Sequence, residues 1–362
     1  MPRMESWLKL SHSQLSPRKQ HRLLEVFGDP AAVLSATTEA LSQIGGLTEA
    51  DVAHLRSVNR TFAVASVQEK LRAAGAVATT LRDATYPRPL RNIADPPVVL
   101  YVRGQWHDSD ERSVALVGTR RPTNYGRVIA EDIGAALAQR GIVVVSGMAA
   151  GVDTAAHRGA LGASGRTIAV FGCGIDVIYP RENRSLARDI AASGALLSEY
   201  SCGVKPDPWR FPARNRLLSG LTMGTVVIEA PENSGALITA DFAAEQGREV
   251  FAVPGSIKTG KSKGCHALIQ DGAKLVDGVE DILSELRLDS VPVVTDRPAP
   301  LPADLSPAEQ CVVRVLPFSE MHVDEVIRAA GLSAADTNAS LMLLEIKGIV
   351  RRLPGGMFLR TR

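Results

Sequence analysis

The stretch SVALVGTRRPTNYGRVIAEDIGAALAQRGIVVVSG, residues 113–147, decides the fold. Two short β-branched runs, SVALVG and GIVVVSG, flank a segment with helical period. Within RVIAEDIGAALAQR, the residues Val128, Ile129, Ile133, Ala136 and Leu137 fall on one face, which suits a helix covering a sheet. The same alternation continues outward, with TIAVFG, ALLSEY, TVVIEA and EVFAVPG as further strands between about 112 and 284. Strands alternating with helices predict an α/β fold with a parallel, doubly wound sheet. In such sheets ligands bind beyond the carboxyl ends of the strands, so the loops after each run are the places to search.

The flanks read differently. Residues 1–80 predict a helical domain of SAM or helix-hairpin-helix type, with apolar spacing in Leu23, Leu24 and Phe27 and again in Leu41, Ile44, Leu47, Val52 and Leu55. There LSQIGGLTEADVAHL carries two glycines between helical patterns, either a hairpin whose amides meet a phosphate or a plain turn in a bundle. The doubly wound domain is expected over 81–287, and the proline-rich segment 288–304 reads as a semi-rigid linker. Residues 305–362 give three helical patterns and then IVRRLPGGMFLR, two short strands around a glycine turn, the pattern of a winged helix. Its third helix carries Asp336, Glu345 and Lys347 and is not basic, which leaves DNA contact and protein contact both open.

Composition narrows the function. The chain has 362 residues, 45% of them hydrophobic, and a formal net charge of only +2, so any nucleic-acid surface must come from local clusters of arginine and lysine. No run approaches a membrane span and the first residues lack a signal-peptide core, which predicts a cytoplasmic protein. The four cysteines, Cys173, Cys202, Cys265 and Cys311, form no C-x-x-C pair and are expected to be reduced thiols. No metal site, cofactor or catalytic residue is predicted.

The loops supply the candidates. After the first strand, VGTRRPTNYG keeps Gly118 but has Arg120 where a dinucleotide enzyme has its second glycine, so a forked cation replaces a close backbone approach. The second strand ends in Ser146 and Gly147, without the carboxylate that would hold a ribose. In SGMAAGVDTAAH, Asp153 and His157 share a helix face, as an acid-base pair or as a helix-start aspartate with a packed histidine. The loop after TIAVFG displays Arg181, Asn183 and Arg184 just past a Tyr-Pro turn. WRFPARNRLLSG brings Arg210, Arg214, Asn215 and Arg216 together. On a helix Arg214 and Arg216 point about 200° apart, so one of them is expected to be structural and to pair with Glu199 or Glu229. Ser234 and Gly235 precede an amphipathic helix, an amide-rich start suited to an anion or to a simple cap.

One motif points elsewhere. VPGSIKTGKSKG, residues 253–264, satisfies the phosphate-loop pattern through Gly255, Gly260, Lys261 and Ser262. A true phosphate loop starts its helix at the lysine and hydroxyl residue, whereas here the helical pattern begins after Gly264, so ATP binding is not expected. The loop still offers Lys258, Lys261 and Lys263 to phosphates along the same sheet edge.

Taken jointly, GTRRPTNYG, SGMAAGVDTAAH, TIAVFGCGIDVIYPREN, LLSEY, FPARNRLLSG, EAPENSGALITA, VFAVPGS and GCHALIQDGAKL resemble the bacterial DNA-processing protein A family, DprA or Smf, over about residues 85–280. The resemblance implies an extended Rossmann domain that binds single-stranded DNA, forms homodimers and loads the RecA recombinase onto the strand in natural transformation, without catalysis. It implies DNA contacts at Arg120 and Arg181, while Ala150 stands where the family often has a basic residue; Arg121 or the lysine loop is the expected compensation. The other reading is a nucleotide-acting enzyme of the lysine-decarboxylase-like Rossmann group, whose P-G-G-x-G-T signature is replaced here by PENSGALIT. With aromatics at 4%, extensive base stacking is not expected, though Tyr125, Tyr179 or Phe211 could hold a base.

Overall fold

The computed structural model describes residues 2–288, 305–317, 321–353 and 355–360, with no side chains described at 2 and 3. It divides into two units, Met1–Val293 and Val294–Arg362. The expected linker lies, from residue 289 to 304, outside the described residues.

The first unit opens with six helices: α1 (Pro2–Ser11), α2 (Pro17–Phe27), α3 (Pro30–Ser35), α4 (Thr38–Ser42), α5 (Glu49–Thr61) and α6 (Val64–Ala74). Their starts are locally encoded. Pro17 and Pro30 stand in the first turn, where the missing N–H costs nothing, and Thr48 and Asp51 close a capping box on α5. Leu23, Leu41, Val52 and Leu55 form their core, with Leu24, Phe27, Ile44 and Leu47 packed around it, as the spacing predicts.

The expected boundary at residue 80 does not match the chain. Strand β1 (Ala76–Thr80) already belongs to the sheet and pairs antiparallel with β2 (Val99–Gly104). The sheet continues through β3 (Ser113–Val117), α7 (Asn124–Gln139), β4 (Val143–Ser146), α8 (Val152–Gly162), β5 (Thr167–Phe171), α9 (Arg184–Ser193) and β6 (Ala195–Ser198). It is completed by α10 (Arg210–Leu221), β7 (Gly224–Val227), α11 (Gly235–Glu245), β8 (Glu249–Ala252), α12 (Lys263–Gln270), β9 (Lys274–Leu275) and α13 (Val279–Glu285). The nine strands lie in the order β1-β2-β6-β5-β4-β3-β7-β8-β9, antiparallel across the first three and parallel from β6 onward.

Every residue of β3, β4, β5, β6 and β7 is buried, because helices cover both faces. Leu217, Leu218 and Leu221 of α10 and Ala236 and Ala240 of α11 build one face; Ala130, Ile133 and Leu137 of α7 and Ala155, Ala156 and Ala160 of α8 build the other. The strand order reverses between β3 and β7, with β4 on one side of β3 and β7 on the other. Such a switch point opens a crevice at the carboxyl ends, so the fold itself locates the site.

Helices α7 and α8 approach so closely that a Cβ on Gly159 would sit 2.0 Å from the Glu131 carbonyl oxygen. Gly159→Ala is therefore expected to push the two helices apart and lower the unfolding free energy by about 1–3 kcal/mol, read by denaturant titration. A change below about 0.5 kcal/mol would contradict this packing.

The second unit holds α14 (Pro307–Val315), β10 (Met321–His322), α15 (Val323–Ala330), α16 (Ala334–Ile346), β11 (Val350–Leu353) and β12 (Met357–Arg360), with the strands in the order β10-β12-β11. Three helices and a small antiparallel sheet make the expected winged helix. Val312, Val326, Leu341, Leu344 and Phe358 fill its core. Lys347 is tied to Glu309 at 3.0 Å, and the outer side of α16 presents Met342 and Ile346, 66% and 73% exposed, rather than cations.

Candidate nucleic-acid interface

At the switch point the loops after β3, β4 and β7 and the starts of α10 and α11 enclose a cleft of about 490 Å³. Gly118, Arg120 and Arg121 after β3 and Ser234 and Gly235 at the start of α11 are among its lining residues. Gly118 is needed for close approach: a Cβ there would lie 2.7 Å from Val152 and 2.9 Å from the Glu229 carbonyl. The Ser234 hydroxyl caps α11 by accepting from Ala236 N–H at 3.3 Å, and Gly235 is exposed beside it. The start of α11 thus turns its positive dipole end toward the cleft.

The cations divide into free and committed. Arg120 and Arg121 are exposed, and the Arg120 guanidinium lies over the Phe211 ring at 5.3 Å from its centroid. Phe211 in turn meets Tyr179, centroids 5.6 Å apart, so a ring pair and a cation stand at the cleft edge. Arg181 and Arg184 are exposed at the start of α9 but do not line the cleft, and Lys261 does. Lys258 is exposed on the loop nearby and Lys263 sits 3.9 Å from Glu232.

Arg214 is of the committed kind. It lines the cleft, yet it is 4% exposed and its Nη1 donates to the carbonyls of Gly147 (2.9 Å) and Val170. Burial lowers its pKa to about 10, with the nearby Asp153 opposing that shift. Arg216, also a candidate contact, is corrected by the structure: it lies outside the cleft lining, 4% exposed, and pairs with Glu199 at 2.7 Å and Asp95 at 3.2 Å. Glu229, the other expected partner, instead accepts from the backbone N–H of Thr123 at 3.0 Å and from its hydroxyl. Asn215 donates to the Gly235 carbonyl at 3.2 Å and so braces α10 against the start of α11.

Besides Arg216, three predicted site residues are corrected by this geometry. Ser146 is fully buried and its hydroxyl donates to the Leu116 carbonyl at 2.6 Å, locking β4 to β3. Gly147 is buried, with its N–H on Asp153 and its carbonyl on Arg214. Asn183 donates its amide to the Met148 carbonyl at 3.0 Å and to Thr154 at 2.8 Å, stapling the loop before α9 to the start of α8. All three hold the loops that carry the site rather than facing a ligand.

Asp153 and His157 take the helix-start reading. Asp153 accepts the amides of Gly147 and Ala149 at 3.1 and 3.2 Å, and burial lifts its carboxyl to about 6 against the pull of Arg214. His157 is fully buried, with Nδ1 at 2.7 Å from the Thr167 hydroxyl and Nε2 unpartnered. Burial, and to a lesser degree Arg214, bring its pKa down to about 3.

The phosphate-loop match also needs a correction. Helix α12 starts at Lys263, two residues before the expected point and directly after Ser262. The match nevertheless lacks an open hydroxyl, because Ser262 is 4% exposed. Lys261 lines the cleft together with Arg120 and Arg121. Sequence reasoning missed Asn233 and Thr239, which also line the cleft, because neither belongs to a charged or glycine-rich pattern.

Comparison with known proteins agrees with this architecture. The family model described as DNA recombination-mediator protein A matches residues 77–287, more than half of the chain. The chain belongs to the DprA family. A second model, the DprA winged helix domain, matches residues 296–356. Among DprA relatives, the protein Smf of Synechocystis is 38% identical over 312 residues, covering 77% of this chain and 78% of the relative. The DNA processing protein DprA of Bacillus subtilis is 46% identical over 202 residues, 56% of this chain and 68% of that one. The crystal structure of DprA from Streptococcus pneumoniae superposes with a TM-score of 0.70 at 37% identity, over 77% of this chain and 97% of that chain. DprA from Helicobacter pylori, solved for its single-stranded DNA binding mode, superposes with a TM-score of 0.53 at 33% identity, over 59% and 96%. The extended Rossmann-like sheet and the winged helix of this chain are thus those of DprA.

Proposed function

We infer that this chain is a DNA-processing protein that binds single-stranded DNA across the switch-point cleft. On this reading it protects an incoming strand and loads the RecA recombinase onto it during natural transformation, acting in the cytoplasm as a homodimer and without catalysis. The observation that carries the reading is the free cation set along one sheet edge. Arg120, Arg121 and Lys261 at the cleft, with Arg181, Arg184 and Lys258 as further cations, suit a string of phosphates better than one nucleotide. Ser234, Gly235 and Gly118 add amides or close backbone approach, and the Tyr179 and Phe211 rings offer a face to an unstacked base. The Helicobacter pylori relative, solved for its single-stranded DNA binding mode, supports the ligand class. No helix among the described residues is long and apolar enough to cross a membrane.

Asp153 and His157 are not the free acid-base pair of an enzyme, since Asp153 is engaged by two amides and His157 by Thr167. Arg120→Ala and Arg181→Ala are each expected to weaken binding to labelled oligo(dT) by about tenfold, with the circular-dichroism spectrum and melting temperature unchanged. Parent-like affinity of both variants at moderate salt would remove this site assignment.

A further inference from the structure

The first turn of α10 serves two directions. Phe211 and Pro212 line the cleft, whereas Trp209 and Arg210 lie outside it. Trp209 is 58% exposed, although Trp7 is buried and Trp106 packs against the core. An indole bared to water to that extent is unusual for a residue that is highly buried on average.

Its surroundings are ordered. The Arg210 guanidinium lies 4.8 Å from the Trp209 ring centroid and 5.1 Å from that of Tyr200, and the two rings meet edge to face at 6.5 Å. Arg210 Nη1 donates to the Lys205 carbonyl at 3.4 Å, while Nη2 has no partner among the described residues. A cation gripped by two rings fixes both rings and keeps a donor for an anion. One residue further along α10, Phe211 repeats the arrangement with Tyr179 and Arg120 at the cleft edge.

We propose that Trp209, Tyr200 and Arg210 form a second base-stacking platform, which takes a nucleotide of the single strand where it leaves the cleft. This rests on the single-stranded DNA reading above and adds a position to it. Two features select a nucleic acid over an apolar protein surface. The aromatic faces are threaded by a guanidinium, which suits alternating bases and phosphates, and the assembly is continuous through residues 209–211 with the ring pair at the cleft.

The test is a length series. Binding of oligo(dT) strands of about 4 to about 20 nucleotides is measured by fluorescence anisotropy for the parent chain, Trp209→Ala and Trp209→Phe. The platform predicts equal affinities for the shortest strands and an affinity about tenfold weaker for Trp209→Ala on the longer ones, largely recovered in Trp209→Phe. Equal affinities of Trp209→Ala and parent at every length would overturn it. A loss by the same factor at every length would also overturn it, because Trp209 would then serve the fold or the cleft itself. Loss of a protein partner with oligo(dT) binding intact would replace it with a protein-docking face. Failure of the parent chain to bind any strand would remove the single-stranded DNA reading and this platform together, an outcome distinct from the other three.

Discussion

Arg214→Ala is expected to lower the free energy of unfolding by about 3–5 kcal/mol, more than any other single change at the site. The side chain is 4% exposed and donates to the carbonyls of Gly147, just after β4, and Val170, next to last in the adjacent β5. Removing it leaves both carbonyls without that donor in a buried place and strips the nearby Asp153 of its positive neighbour. Arg214→Lys restores the charge but not the planar fork, so it recovers only part of the loss. Guanidinium denaturation of the parent and both variants reads this directly. A change under about 1 kcal/mol in Arg214→Ala would show that the loops after β4 and β5 do not depend on it.

The second large effect is on pH dependence, where His157 and Asp153 act in opposite directions. Folded His157 stays neutral down to about pH 3, whereas an unfolded histidine titrates near 6.5. Unfolding therefore takes up a proton below pH 6.5, and stability is lost as the pH falls from there toward 3, by up to about 5 kcal/mol. Asp153 has the reverse sign. Its folded carboxyl titrates near 6 and its unfolded one near 3.8, so its ionisation weakens the fold above pH 6. That penalty is relieved as the pH falls from about 6 to about 4, returning about 3 kcal/mol. The parent chain should thus show a shallow acid loss, Asp153→Asn a steep one, and His157→Gln a gain in stability from pH 7 to pH 4. Identical slopes for all three in denaturant titrations would contradict the buried, neutral histidine.

The central sheet was legible because its strands are buried on both faces, which writes SVALV, VVVS and TIAVF as unbroken apolar runs. The edge was not. β1 reads AVATT, with Val77 62% exposed, and it directly follows a helix, so its short sequence carries no alternation strong enough to separate it from the helical segment. β2 carries the β-branched signal in VLYVRG, but only its antiparallel pairing with β6, far along the chain, makes it part of this sheet.

The site was legible at the level of loops rather than atoms. Helical geometry separates Arg214 from Arg216 and leads to one structural arginine with Glu199 or Glu229 as partner; Arg216 takes Glu199, but Arg214 is buried as well, which angle and charge alone do not reveal. Ser146 and Asn183 read as ligand groups because a polar residue at a strand end or in the loop beyond it looks the same in sequence whether it faces solvent or a buried carbonyl. Trp209 went unnoticed for the converse reason. Nothing local in WRFPARN distinguishes an exposed tryptophan from a packed one, and its 58% exposure follows only from the folded chain.

The claim that the cleft holds a strand of phosphates is tested most directly by one salt titration, run in parallel on a single-stranded oligonucleotide, a duplex of the same length and free nucleotides. Tight binding of the single strand alone is expected, with log affinity falling linearly against log salt at a slope of about −0.7 per phosphate engaged. Tighter binding of a mononucleotide or of ATP, with little dependence on salt, would contradict it.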